Sequence, residues 1–315
     1  MNIPTPEIPN TIGVEMTYIL PINTTELPHP ALMKQYRKWT CDDYRTEGSH
    51  ESLSAFIRYK LNKLKMLEKA NVSADCEAIE ISSPIFRSWE RFKDYYIKLD
   101  QICKAYGLVP RSETEWGGMG HINLGLDITS ELKYQRFIKY IHRDLVNRPY
   151  LNWIFNAAGE DWNANSYLYN YSTYRTKECH DSWIEGEEEV DILRLLSGNK
   201  QASHNFNDTH EKDRTKVYIE FRFFEMYENI DEFQKCVNFI TRYYNYIKKS
   251  SETESFPKYK FESVRDFQKA FPSAKKCISH FRELLHHLDL KYSDYRYLVE
   301  RNLKVRYEVY PDTLV

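Results

Sequence analysis

The segment Lys216–Glu225 constrains the possible folds of this chain more than any other stretch. It is rich in β-branched and aromatic residues, and apolar positions alternate with polar ones. Because side chains of a β-strand point alternately to opposite faces, this pattern predicts a strand with two unlike faces. The alternation assigns Val217, Ile219, Phe221 and Phe223 to one face, and Tyr218, Glu220, Arg222 and Phe224 to the other. Glu220 and Arg222 then form either a salt bridge across the sheet or part of a functional site.

Three earlier segments have the same arrangement, with their polar residues on one strand face. They are Thr11–Leu20 with Glu15, Cys76–Ser83 with Glu80, and the second half of Glu115–Asp127 with His121 and Asn123. Asn71–Asp75 contains several polar residues and is predicted to be a turn before the second strand. Between the strands, apolar residues recur at helical spacing. The sequence therefore predicts a half-buried sheet with helices behind it and a polar face in front.

Helix boundaries follow from capping residues and from the ends of the apolar stripes. We predict helices from Ser49 or Ser52 to Ala70, over Ser88–Tyr106, from Thr129 to Asn147, from Asp231 to Lys248, and over Val264–Phe271, Ser273–Leu288 and Ser293–Asn302. Gly107 stands where a helix C-cap is expected. Residues 150–215 are polar, with an irregular pattern that predicts neither helix nor strand.

Composition excludes several classes of function. Lys+Arg number 44 against Asp+Glu 46, so no basic excess points to nucleic acid or to an anionic membrane. No segment approaches the roughly 18–20 apolar residues of a membrane span, and no secretory signal opens the chain. The six cysteines form no Cys-x-x-Cys pair, which indicates free thiols in a reducing compartment. We therefore expect a cytoplasmic protein that binds neither nucleic acid nor membrane.

Three carboxylates and one histidine on strands that face the same way are typical of a hard-cation site. The set is Glu15, Glu80, His121 and Glu220. Oxygen ligands suit Mg²⁺ and Mn²⁺, and one imidazole is compatible with Mn²⁺. Arg222 lies two residues after Glu220, where it is placed to bridge phosphate oxygens near a metal. Each member alone also has a purely structural explanation, so the hypothesis depends on the whole set.

These motifs resemble those of the amidoligase family, which belongs to the carboxylate–amine ligase superfamily with glutamine synthetase and glutamate–cysteine ligase. The matching residues are Gly13-Val14-Glu15, Glu80-Ile81-Ser82-Ser83-Pro84, Gly120-His121-Ile122-Asn123 and Glu220-Phe221-Arg222. The resemblance covers roughly residues 11–248 and implies an α+β fold with a glutamine-synthetase-like, curved, mainly antiparallel sheet and helices on one face. It implies an amidoligase-like catalytic domain over 11–250 with residues 150–215 as an insert or lid. The Pro-rich start of the chain predicts an N-terminal arm over 1–10, and the helical pattern beyond Glu254 predicts a helical C-terminal extension over 251–315.

The resemblance also implies an activity. The expected reaction is ATP-dependent phosphorylation of a carboxylate, followed by attack of an amine on the acyl phosphate. The expected cofactors are ATP with Mg²⁺ or Mn²⁺, and the partners are a carboxylate donor and an amine acceptor, each a small molecule, peptide or protein. The sequence fixes neither these substrates nor the oligomeric state.

Roles carry over onto the matching positions of this sequence. Glu15, Glu80 and Glu220 match metal ligands, and His121 matches a histidine that contacts both metal and nucleotide phosphate. Arg222 matches the arginine that stabilises the transferring phosphoryl group, so Glu220 and Arg222 are the predicted catalytic pair. We also assign nucleotide-binding roles to Asn123 and to Arg214, the arginine nearest the last strand.

The chain departs from the family pattern at two positions. Thr17 stands at the second acidic position of the first strand, and Asn123 stands at the second histidine of the third. The loss of a carboxylate removes a formal charge and a ligand, which weakens one metal position. Two alternatives therefore stay open: a catalytically degraded protein that serves in binding or structure, with Tyr-rich segments such as Tyr292–Tyr297 at an interface, and a guanidino kinase that shares the fold.

Overall fold

The computed structural model describes residues 5–19, 57–59, 61–63, 71–75, 78–105, 107–110, 120–148, 150–155, 204–206, 217–224, 229–258, 260, 269–304 and 307. Residues 57–59 and 61–63 are helical, as predicted, but most of that helix lies outside these ranges. Arg214 and residues 156–203 of the predicted insert also lie outside them, and so does most of the helix predicted over Val264–Phe271.

An antiparallel sheet forms the centre of the molecule. Its strands are β1 (Thr11–Ile19), β2 (Asn71–Asp75), β3 (Ala78–Ser82), β4 (Val109–Pro110), β5 (Gly120–Gly125), β6 (His204–Phe206) and β7 (Tyr218–Phe224). They are arranged in the order β2-β3-β1-β5-β7-β6, and β4 pairs with β1. All the pairings are antiparallel. The α+β class and the antiparallel sheet predicted from sequence are thus confirmed.

Six helices have their bounds within the described ranges. They are α1 (Trp89–Ala105), α2 (Glu131–Val146), α3 (Tyr150–Phe155), α4 (Ile230–Thr253), α5 (Ala274–His287) and α6 (Tyr292–Lys304). Their apolar residues form a hydrophobic cluster with those of the sheet, including Val14, Ile81, Leu124 and Ile219. These sheet residues occupy alternate strand positions, so the helices bury one face of the sheet and its polar residues share the other.

Several boundaries differ from the sequence predictions. Asn71–Asp75 is not a turn but strand β2, which pairs along the whole of β3. The segment predicted to be irregular begins with helix α3, and His204–Phe206 within it is strand β6. For β2 and β6, pairing with a neighbouring strand outweighs the polar local sequence. The residues of α3 are mostly apolar and are buried in the core. The C-terminal helices α5 and α6 agree with prediction to within a few residues.

Helix caps also shifted by one or two residues. The cap of α2 is Ser130 rather than Thr129. The cap of α4 is Asn229 rather than Asp231, and its side-chain oxygen accepts a hydrogen bond from the Asp231 amide. Gly107 follows α1 with a φ of 79°, and its amide donates to the Lys104 carbonyl at 2.9 Å. The predicted glycine C-cap is confirmed, because this left-handed conformation favours a residue without Cβ.

Phe224 is the clearest correction on the last strand. Strict alternation assigned it to the polar face with Glu220, yet it is fully buried on the helix side. The pairing of β5 with β7 shifts between Gly120 and Ile122, which face Phe224 and Phe221 respectively. Two β7 residues therefore stand opposite His121 alone, which is a β-bulge. The bulge breaks the period of two, so the prediction for Phe224 was wrong.

The C-terminal helices pack on the same core as the sheet. Tyr295 of α6 is buried, and its hydroxyl donates to the Lys235 carbonyl of α4 at 3.0 Å. The Asn302 amide is also buried and donates to the Ile154 carbonyl of α3 at 2.8 Å. Among the described residues, no helix combines the length and the apolar character needed to cross a membrane.

Gly125 permits a close approach of two strands. It stands directly opposite Thr11 in the pairing of β1 with β5. A Cβ atom at position 125 would overlap Thr11 Oγ1 and lie 3.2 Å from the Thr11 amide nitrogen. We expect Gly125→Ala to lower the free energy of unfolding by about 1–3 kcal/mol through overpacking, measured by urea denaturation. Gly13→Ala is the control, because a Cβ at position 13 would have no atom closer than 3.9 Å. Equal losses of unfolding free energy in the two variants would contradict the overpacking explanation.

Candidate metal centre

The centre of the polar face is set by the register of three adjoining strands. Glu15 of β1 stands directly opposite His121 of β5. Asn123, two residues further along β5, stands opposite Glu220 of β7. Directly opposed residues of an antiparallel pair point to the same face. The folding of these alternating sequences into one sheet thus brings two carboxylates to the two sides of one imidazole.

The side chains meet at the His121 ring. Nδ1 of His121 lies 2.8 Å from Glu15 Oε2 and 3.3 Å from Glu220 Oε1. One donor atom from each of the three residues lies within 4.8 Å of the others. The side chains of His121 and Glu220 are 10% and 11% exposed, and that of Glu15 is 26% exposed. Two carboxylates are therefore held close together with little water around them, which is costly unless a positive charge lies between them.

The distances suit a divalent metal. Neighbouring ligands around an octahedral ion bound at 2.0–2.1 Å are about 2.9 Å apart, and the separations of 2.8 Å and 3.3 Å bracket this value. Two carboxylate oxygens and one imidazole nitrogen form a donor set that fits Mn²⁺ and is compatible with Mg²⁺. The same separations also fit hydrogen bonds from His121 to the carboxylates. The donor chemistry therefore supports a metal without requiring one.

Two further polar atoms distinguish this place from a self-contained ion pair. His121 Nε2 and Asn123 Oδ1 are buried and have no hydrogen-bond partner within the described part of the chain. Buried polar atoms in native proteins are nearly always paired, and an exception calls for an explanation such as an absent ligand or ion. These two atoms belong to the central strand β5, beside the carboxylates. They are candidates for contact with a further polar group on this part of the sheet face.

The other predicted site residues are less closely grouped. Glu80 of β3 stands opposite Thr17 of β1, so it shares the polar face, but it is not part of the close group formed by Glu15, His121 and Glu220. Thr17 is 5% exposed. Arg222 belongs to β7 at the bulge, but its side chain lies outside what the structure describes, as does the whole of Arg214. The metal role of Glu80 and the phosphate roles of the two arginines remain predictions.

Sequence reasoning missed Ser82 as a member of this face. Ser82 stands directly opposite Glu15, on the far side of β1 from His121. The alternation Glu80-Ile81-Ser82 carried the necessary signal, since Ser82 is two residues from a predicted ligand. Its neighbour Ser83 accepts a hydrogen bond from the Val14 amide at 2.9 Å and fixes β1 against β3 next to Glu15.

Comparison of the sequence with models of known protein families and with curated proteins gives no match. The class of protein must therefore be argued from the site and its motifs alone.

Proposed function

We propose that this protein is an ATP-dependent carboxylate–amine ligase whose divalent metal is held by Glu15, His121 and Glu220. The observation that carries the proposal is the meeting of these three donors on neighbouring strands, with the imidazole nitrogen 2.8 Å and 3.3 Å from the two carboxylates. The motifs that resemble amidoligases contain all three residues. The antiparallel sheet with helices behind it is compatible with that superfamily.

The proposed reaction has two steps. A carboxylate oxygen of the donor substrate attacks the γ-phosphorus of ATP, the bond to the bridging oxygen breaks, and ADP leaves. The amine of the acceptor then attacks the acyl carbon, loses a proton and expels inorganic phosphate. A divalent metal, when bound, neutralises the negative charge that the phosphoryl group presents. The first step needs this neutralisation because two anions must approach each other.

This chain's own residues supply the rest of the proposed chemistry. His121 Nε2 and Asn123 Oδ1, which have no hydrogen-bond partner among the described residues, are the proposed contacts to the bound nucleotide or its waters. Arg222 stabilises the transferring phosphoryl group from the bulge beside His121. The part of the predicted insert that lies outside the described residues, including Arg214, is proposed to cover the site and exclude water, which would otherwise hydrolyse the acyl phosphate. Helix α3, at the start of the predicted insert, packs in the core and has no part in this cover. Glu80 binds metal at the edge of the site nearer to β2.

One observation favours a second function. Thr17 stands where the family that this chain resembles has a carboxylate. It is 5% exposed and stands opposite Glu80. This half of the polar face therefore has one carboxylate where the family pattern has two. A protein that has lost a metal position in this way is suited to bind a nucleotide or a partner without turnover. The alternative is thus a binding or structural protein that keeps the ligase fold.

Metal-dependent binding of ATP tests the proposal directly. We expect Mn²⁺ or Mg²⁺ with ATP to raise the melting temperature of the full-length protein, because a ligand that binds only the folded state stabilises it by mass action. ATP with EDTA is the control and is expected to give no such shift. No metal-dependent shift with ATP would contradict the ligase proposal. A shift without ADP release on pools of amino acids, polyamines or peptides would favour the binding protein.

A further inference from the structure

The β-bulge between β5 and β7 lies beside the candidate metal centre. Ile122 pairs with Phe221 and Gly120 pairs with Phe224, so one β5 residue, His121, faces two β7 residues, 222 and 223. A bulge bends its strand and increases the local twist. Here it falls between the residue that supplies the imidazole and the strand that supplies Glu220. The position of His121 relative to Glu220 therefore depends on the bulge staying in place.

Phe224 anchors the far side of this bulge. Its ring is fully buried and lies 5.0 Å from the ring of Phe155, at the end of α3. Phe155 in turn lies 4.6 Å from Phe239 of α4 and 6.5 Å from Tyr295 of α6, between ring centroids. The end of α3 is also held by the hydrogen bond from Asn302 to the Ile154 carbonyl. Phe224 thus attaches β7 to a cluster built by four helices, since α5 also places a phenylalanine ring against Phe155.

Burial of Phe224 requires that two β7 residues, rather than one, stand opposite His121. Phe221 and Phe224 both point to the helix side, although they are three positions apart. A strand without a bulge would turn Phe224 to the polar face, because side chains alternate with a period of two. Its burial therefore favours the bulged register over a regular one. In the regular register a single β7 residue would oppose His121, and the bend beside the carboxylates would be lost.

We propose that Phe224 is a positioning residue, through which the C-terminal helix α6 and helix α3 hold His121 and Glu220 in metal-binding geometry. This positioning role rests on the proposed function in one respect: both take the site to bind a divalent metal. Under this proposal helix α6 influences metal binding on the sheet. Its Tyr295 and Asn302 both contact the end of α3 that packs on Phe224. Phe224 touches neither metal nor substrate in this role.

Binding of Mn²⁺ alone to the full-length protein, followed by electron paramagnetic resonance, tests this role. We expect Phe224→Leu to weaken Mn²⁺ binding at least tenfold at a temperature where the variant is folded. Phe155→Leu, which alters the other side of the same contact, should weaken binding in the same direction. Phe92→Leu is the matched control, because Phe92 is equally buried but its ring contacts are with Phe86, Trp89, Tyr96 and Phe233. This control should bind Mn²⁺ within twofold of wild type.

The outcomes separate this inference from the proposed function. Wild-type affinity in folded Phe224→Leu and Phe155→Leu would overturn the positioning role while leaving the metal site intact. Equal weakening in Phe92→Leu would overturn it as well, because the effect would then be a general loss of core packing. No Mn²⁺ binding to the wild type would remove the metal site and this inference together. If Phe224→Leu does not fold, Phe224→Met and Phe155→Leu decide the question by the same criteria.

Discussion

Replacement of Asp144 by alanine is expected to lower the free energy of unfolding by about 3 kcal/mol, because it leaves a guanidinium without its counter-charge. The Asp144 carboxylate binds Arg148 through two nitrogens, at 2.7 Å and 3.0 Å. It also accepts a hydrogen bond of 2.6 Å from the Tyr243 hydroxyl of α4. The Asp144 and Arg148 side chains are 8% and 22% exposed. The network therefore joins α2 to α4 through a carboxylate that is largely shielded from water.

The charges of this network support the same expectation. Burial opposes the charge on Arg148, but the neighbouring Asp144 carboxylate outweighs it and raises the pKa of Arg148 well above its usual value. Burial, reinforced by the charge of Asp144, raises the pKa of Tyr243 well above its usual value. Arg148 thus stays charged and Tyr243 stays a neutral donor at any ordinary pH. Removal of the carboxylate takes the Asp144 acceptor from both at once. Within the described part of the chain it leaves the Arg148 guanidinium only its contact with the Tyr150 hydroxyl, so the loss exceeds that of a single hydrogen bond.

An exposed pair with the same spacing provides the control. Arg296 and Glu300 form an ion pair of 2.9 Å four residues apart on α6, with side chains 67% and 48% exposed. We expect Glu300→Ala to cost about 0.5 kcal/mol or less, since exposed ion pairs contribute little. Both variants are measured by urea denaturation with comparison of the slopes. If the two variants lost similar amounts of unfolding free energy, burial would not be the reason for the importance of the Asp144 pair.

The two faces of the sheet were predictable because burial on one side imposes a period of two. Residues such as Val14, Ile81 and Leu124 all lie in the core as the alternation indicates. The pattern failed where pairing, rather than composition, determines structure. Strand β2 is polar but pairs with β3, and β4 is a two-residue strand that contains Pro110. Neither carries a local signal that separates it from a turn.

The polar face could be predicted, but the close group within it could not. Four residues seemed equivalent by alternation, yet only Glu15, His121 and Glu220 place donor atoms within 4.8 Å of one another among the described residues. Register decides this, because His121 stands opposite Glu15 while Glu80 stands opposite Thr17, two residues further along β1. The bulge opposite His121 was equally hidden, since an extra residue in one strand leaves no mark in composition.

Replacement of Glu220 by glutamine is expected to remove most of the stabilisation that Mn²⁺ or Mg²⁺ provides. A ligand at a hundred times its dissociation constant stabilises the folded state by about 2.7 kcal/mol. An amide in place of the carboxylate removes one formal charge and one proposed anionic ligand from a candidate site with little water around it. If affinity falls a hundredfold, the same metal concentration gives only about 0.4 kcal/mol. Denaturant unfolding of both proteins at one fixed metal concentration measures the difference.

The metal-free proteins separate the two explanations of the Glu220–His121 contact. If Glu220 serves only as an ion-pair partner of His121, 3.3 Å away, then Glu220→Gln destabilises the protein equally with and without metal. If the residue is a ligand, the difference from wild type grows when metal is added. Glu283→Gln, on the exposed side of α5, should leave both measurements unchanged. A full metal response in Glu220→Gln would show that the two carboxylates flank His121 for structural reasons, because a lost ligand cannot leave metal affinity intact.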